Sequence, residues 1–133
     1  MRFLVLFLLC LFQFKASAQL DTLFWFVAPE VAQSHGDRPI VFRFASLSQA
    51  ATVTVSQPAN PIFPSQTITL PANSAQTLNL TTWIDQIENK PANTTLPYGF
   101  KISSTAPIMA YYEVTPTCNC NPDIFALKGK NSL

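Results

Sequence analysis

Phe100-Lys101-Ile102-Ser103-Ser104-Thr105-Ala106-Pro107-Ile108-Met109-Ala110-Tyr111-Tyr112-Glu113-Val114 is the stretch that decides the fold. Phe100 and Ile102 alternate with Lys101 and Ser103. Further on, Ile108, Ala110, Tyr112 and Val114 alternate with Met109, Tyr111 and Glu113. Successive side chains of an extended chain point to opposite faces, so an apolar period of two marks a strand with one face on a core. The stretch supplies two strand candidates, and five more lie upstream. Phe24 and Phe26 share one face of Leu23 to Ala28, with Trp25 and Val27 on the other. Ile40, Phe42 and Phe44 alternate with Val41, Arg43 and Ala45. Val53 and Val55 alternate with Thr52 and Thr54, Ile68 and Leu70 with Thr67 and Thr69, and Leu78 and Leu80 with Thr77 and Asn79. In most of these runs the second face carries Thr, Asn, Lys or Arg, the pattern of antiparallel sheets with one wet face.

Turn signals separate the runs: Pro29, Ser34-His35-Gly36-Asp37, Pro58 to Pro64, Pro71 to Ser74, Pro91 to Pro97 and Pro116. Eleven prolines against three glycines favour open connections over tight glycine hairpins. Regular spacing of short strands predicts an all-β fold, an antiparallel β-sandwich of about seven or eight strands. One segment departs from the period. In Thr82-Trp83-Ile84-Asp85-Gln86-Ile87-Glu88, Ile87 falls one turn after Trp83 or Ile84, and Thr82 with Asp85 approximates a capping box. One short helix is expected there, closing an end of the sandwich.

The first eighteen residues read as a secretory signal. Arg2 gives a positive start, Phe3 to Phe14 is apolar except for Gln13, and Ala16-Ser17-Ala18 supplies small residues for cleavage between Ala18 and Gln19. An apolar run of about twelve residues is too short to span a bilayer as a helix. Cys10 follows Leu9 instead of a small residue, so it leaves with the signal and takes no lipid. The organisation expected is a signal peptide, 1–18, and one domain, 19–133, secreted or held at the cell surface. Composition agrees. A net charge of +1 leaves no electrostatic footprint for nucleic acid and no polybasic patch for a membrane. From Gln19 onward 37 of 115 residues are Ser, Thr, Asn or Gln, so neutral polar groups take over the solvation that charges usually provide.

Gly99-Phe100-Lys101-Ile102-Ser103-Ser104-Thr105-Ala106-Pro107-Ile108-Met109-Ala110-Tyr111-Tyr112 resembles a segment of the IgG Fc-binding protein N-terminal domain family, found in mucus proteins and large bacterial surface proteins. Asp21 to Phe26 is similar to its first strand, Ala51 to Leu80 to a pair of its strands, and Asp123 to Leu127 with Gly129 to Leu133 to a later stretch. The resemblance implies a role in surface or mucus-associated proteins. Because members of that family continue with further strands, it also implies that 19–133 is the front part of a domain.

Groups that could carry chemistry are sparse. His35 is the single histidine, in a polar loop with Asp37 and, farther off, Glu30. That spacing does not define a metal shell of three or four ligands, and a solvated turn explains it. Two-carboxylate glycoside chemistry would draw on Asp85, Glu88 and Glu113, which read more simply as surface charges that guard strand edges. Cys118-Asn119-Cys120 holds the only cysteines of the mature chain. In an oxidising compartment they are candidates for a local disulfide, with free thiols, a metal corner or partners elsewhere as alternatives. Trp25, Tyr111 and Tyr112 are candidate ligand-contact aromatics, since two adjacent strand residues cannot both face inward. Asn79-Leu80-Thr81 and Asn93-Thr94-Thr95 match the glycosylation triplet, with Asn93 in a loop. The reading is a non-catalytic interaction or adhesion domain that takes no cofactor or metal. Its partner is expected to be a protein or glycan at the cell surface, with further domains of the same protein as another candidate. The alternatives are a structural spacer of a larger surface protein and a carbohydrate-active module.

Overall fold

The computed structural model describes residues 19–30, 39–115 and 122–131. Residues 1–18, the expected signal segment, together with His35, Asp37, Cys118 and Cys120, lie outside the described residues. Among the described residues seven strands form: β1 (Asp21–Phe26), β2 (Ile40–Ser46), β3 (Ala51–Ser56), β4 (Gln66–Leu70), β5 (Ala75–Asn79), β6 (Phe100–Val114) and β7 (Asp123–Ala126). A 3-10 turn at Thr81–Trp83 leads into one short helix, α1 (Ile84–Ile87). Every strand pairing is antiparallel.

The two strand candidates in 100–114 are one strand, and that strand builds both layers. The first half of β6 pairs with β1 on one side and β3 on the other; its second half pairs with β7 and β2. One layer is therefore β4-β3-β6-β1 and the other β5-β2-β6-β7, a sandwich made of a single sheet folded over. The Phe42 ring lies 5.1 Å from that of Phe100 and 5.7 Å from that of Tyr112. Twelve residues of straight strand would put Phe100 and Tyr112 about 40 Å apart, so β6 must turn sharply between them. It does so at 105–107. No partner residues are registered there, and the ladder with β1 slips between Leu23↔Ser103 and Asp21↔Ile108. Pro107 sits in this gap, where a missing N–H breaks no ladder bond.

The core lies between the layers. Phe24, Ile40, Phe42, Phe44, Val53, Val55, Ile102, Ile108 and Tyr112 are fully buried. Phe42 alone meets the rings of Phe26, Phe44, Phe100 and Tyr112. The helix expected at 82–88 is present with Ile84 and Ile87 in the core, but Thr82 does not cap it, and neither the turn nor α1 has a side-chain cap. Thr81 uses its hydroxyl elsewhere, accepting from the Ile40 N–H at 3.1 Å. Phe63 seals that end, stacked edge-on against Trp83 and Phe100. Gln57, itself buried, pins this loop by donating to the carbonyls of Gln86 and Tyr98 while it accepts from Asn60. In this glycine-poor chain two left-handed turn positions fall to Asn73 (φ 54°) and Asn93 (φ 61°), the residue type that best tolerates them after glycine.

Two distant segments close one side. Asp21, 4% exposed, accepts from the N–H groups of Thr22 (2.6 Å) and Leu23 (3.3 Å) and from the main chain (2.7 Å) and side chain (3.2 Å) of Asn131. Lys130 N–H donates to the Leu23 carbonyl, and Phe24 bridges to Gly129. A Cβ on Gly129 would stand 2.1 Å from the Asp21 Cβ, so glycine there is a matter of space.

Candidate functional site

Trp25 points out of the first layer and is 58% exposed. It is opposite Lys101, which is opposite Ser56. The next row on the same face runs Leu23, Ser103, Thr54, Thr67. Beyond it Thr52 pairs with Thr69 and donates its main-chain N–H to the Thr105 hydroxyl at 2.9 Å. Neighbouring strands stand about 4.8 Å apart, and same-face residues about 6.6 Å along a strand. The face is thus a grid of hydroxyls with an indole at one margin and Lys101 as the one charged side chain in these rows. Val27, 59% exposed, extends the apolar margin. A flat aromatic beside many neutral hydrogen-bonding groups can stack on an apolar ring face while hydroxyls bond to its edges.

The other candidate aromatics part company. Tyr111 is on the outer face of the second layer, in the row Thr77, Arg43, Tyr111, Ala126, with its hydroxyl 3.7 Å from Met109 Sδ. The structure does not bring it to Trp25. Tyr112 faces the core with no exposed surface, packed on Phe26, Phe42 and Phe125, and is not a ligand contact. The strand period forces this: adjacent residues take opposite faces, and the larger share of core goes to Tyr112.

No family model and no curated protein matches this chain. A solved structure, the crystal structure of Thermotoga maritima 1070, is similar over 85% of this chain and 94% of its own at 10% identity, with a TM-score of 0.46. At that distance it bears on neither identity nor function.

The three carboxylates considered for glycoside chemistry each have a partner. Arg43 Nε bonds to Glu113, which also accepts from the Thr115 hydroxyl at 2.9 Å. The guanidinium beside it holds the Glu113 carboxyl below the usual range, against the opposing effect of burial. Glu88 is fully buried at the end of α1, where Lys90 Nζ lies 3.0 Å from it and 3.6 Å from Asp85. The Glu88 hydrogen bond raises the Lys90 ammonium above its ordinary value, again against burial. Among the described residues no three His, Cys, Asp or Glu side chains gather as a metal-ligand cluster, and no helix is long and apolar enough to cross a membrane. A shallow cavity of about 260 Å³ lies between Leu47, Ser48, Gln49 and Pro107, at the turn of β6. Asn79 and Asn93 are both exposed; Asn79 Oδ1 accepts from the Thr81 N–H at 2.9 Å.

Lys101, Ser56, Ser103 and Thr54 escaped the sequence reading as site residues. Each looked like the wet half of its own strand, and only cross-strand register lines them up beside Trp25. Thr-x-Thr in both β3 and β4 was the available signal.

Proposed function

We propose that this chain is an extracellular interaction module that binds its ligand on the outer face of the first layer, with Trp25 as the stacking anchor. One observation carries the reading: a tryptophan 58% exposed at the margin of a flat, hydroxyl-rich sheet face. An indole on a wet sheet face offers a large, rigid apolar ring with one N–H donor, the kind of group that stacks on an apolar patch of a ligand. The chemistry of the face fits a saccharide or a neutral protein surface, both of which present apolar patches between hydrogen-bonding groups. The motif resemblance to surface and mucus-associated proteins, and the signal-like first eighteen residues, support placement outside the cell.

The test is binding to an array of neutral and acidic oligosaccharides and to intact cell surfaces, comparing the native chain with Trp25→Ala and Lys101→Ala. Binding that falls at least tenfold in Trp25→Ala, with melting unchanged, supports the reading. Binding unaffected by either substitution, or turnover of an arrayed glycan, sinks it.

A further inference from the structure

Two cations lie within the strands, Arg43 in β2 and Lys101 in β6. Arg43 is paired with Glu113. Lys101 is half-buried and has no ion-pair partner among the described residues. Its surroundings offer none. β3, β4 and the first half of β6 contain no Asp or Glu. The single acid of β1, Asp21, is buried and held by Asn131. A lysine on a sheet commonly guards an edge. That duty does not fall to Lys101, because β6 runs between β1 and β3 and places it in the interior of the layer. Strand preference does not select it either, since lysine is depleted in strands and the threonines around it already solvate the face.

The position of the charge narrows what it meets. Trp25 and Lys101 are direct partners in the β1–β6 ladder, and Ser56 is the partner of Lys101 on its other side. The Ser56 hydroxyl also donates to the Lys101 carbonyl at 3.4 Å. An exposed indole, a cation without a counter-ion and a hydroxyl thus stand in one row. Directly opposed residues hold their Cβ atoms about 5 Å apart. A sugar ring lying on the indole therefore brings a substituent at its rim within reach of the flexible lysine stem. We propose that the ligand of this face is an acidic saccharide, with a sugar ring stacked on Trp25 and the carboxylate of that ring paired with Lys101. The proposal rests on the reading of this face as the binding surface and names the chemistry it takes. One cation answers one anion. A heavily sulfated or phosphorylated chain presents charge at every unit and calls for a row of cations. The rows beyond Lys101 hold Ser103, Thr54 and Thr67, then Thr52 and Thr69, which suit the neutral hydroxyls of the neighbouring sugar units. An ammonium–carboxylate bond is of the charge-assisted kind, stronger than the hydroxyl contacts around it.

Binding of the full chain to oligosaccharides that carry one uronic acid unit, each compared with the same oligosaccharide after reduction of its carboxylate to an alcohol, tests the proposal. The native chain is expected to hold the acidic form at least tenfold tighter than the reduced form, and rising salt is expected to shrink the difference. Lys101→Gln is expected to bind both forms as the native chain binds the reduced one, while Lys101→Arg keeps the preference. Trp25→Ala is expected to lose both forms. Equal binding of the two forms by the native chain overturns the proposal, and if Trp25→Ala still abolishes that binding, the face stands as the site. A preference that survives Lys101→Gln also overturns it, since the carboxylate would then lie elsewhere. So does a chain that binds a protein surface and no saccharide. Binding indifferent to Trp25→Ala removes the face itself. If a variant fails to fold, as read from its strand circular dichroism, the comparison of acidic and reduced forms on the native chain decides alone.

Discussion

Asp21 is where a single side chain joins the two ends of the described chain. Burial pushes its carboxyl up, but three backbone N–H donors, from Asn131, Thr22 and Leu23, together with the Lys130 charge, outweigh it and hold the group below its ordinary 3.8. A carboxyl depressed in the folded state contributes stability in full above its unfolded value and loses it as pH falls through the lower folded value. Asp21→Asn is therefore expected to melt lower than the native chain at neutral pH and to lose less stability from about pH 5 to pH 2. Glu113, lowered by Arg43, acts with the same sign, so the difference between native and variant melting curves isolates Asp21. If the two curves stay parallel in acid, the clamp does not act through its charge. Gly129→Ala presses a methyl group onto Asp21 and is expected to cost about 1–3 kcal/mol in urea unfolding, the usual range for overpacking. Little of this was legible in the sequence. Asp21 read as the start of a short strand, and nothing local announces a partner 110 positions away. Trp25 was legible, since Phe24 and Phe26 claimed the inward face; its neighbours Lys101 and Ser56 were not.

Among the elements, β6 carries most of the argument. Its alternation was plain on both sides of Pro107, but the period could not say whether the two runs were separate strands or one. The answer depends on partners: a proline is tolerated inside a strand where the ladder has a gap, and the gap lies between Ser104, where β3 pairing ends, and Ile108, where β2 pairing begins and the shifted β1 ladder resumes. Pro107→Ala is expected to change stability by less than about 1 kcal/mol. Tyr111→Pro, which removes an N–H facing Arg43 within a central strand, is expected to cost about 3 kcal/mol or more. Thermal melts of the two variants check the contrast; equal losses would mean the bend itself needs proline. The strand missed from sequence is β7, four residues without alternation, identifiable only by its pairing with β6. The helix was located by its apolar spacing, yet the expected Thr82 cap is absent: a 3-10 turn over Thr81–Trp83 precedes α1, so Trp83 holds the capping position and no side chain caps it.

At the scale of the whole molecule one core serves both layers, and Phe42 is its centre. Phe42→Ala is expected to lower the unfolding free energy by about 3–5 kcal/mol, a large part of the about 5–15 kcal/mol typical of a domain. The urea midpoint should fall with an unchanged slope; a smaller loss would mean the surrounding rings close over the gap. Two antiparallel layers with apolar inner faces were readable from period alone. That the layers share β6 was not, because sharing is a property of register and bend.

The pairing of β1 has a temporal consequence. Its partners are residues 100–103 and 108 of β6 and residues 129–131 near the other end. A chain emerging amino-terminus first, from a ribosome or through a pore, presents Leu23-Phe24-Trp25-Phe26 long before anything exists for it to pair with. β2 to β5 can pair among themselves meanwhile, but the aromatic leader must wait, open to chaperones, until β6 is out. The first layer is thus completed late, keyed to the arrival of residues 100–108 and then 129–131.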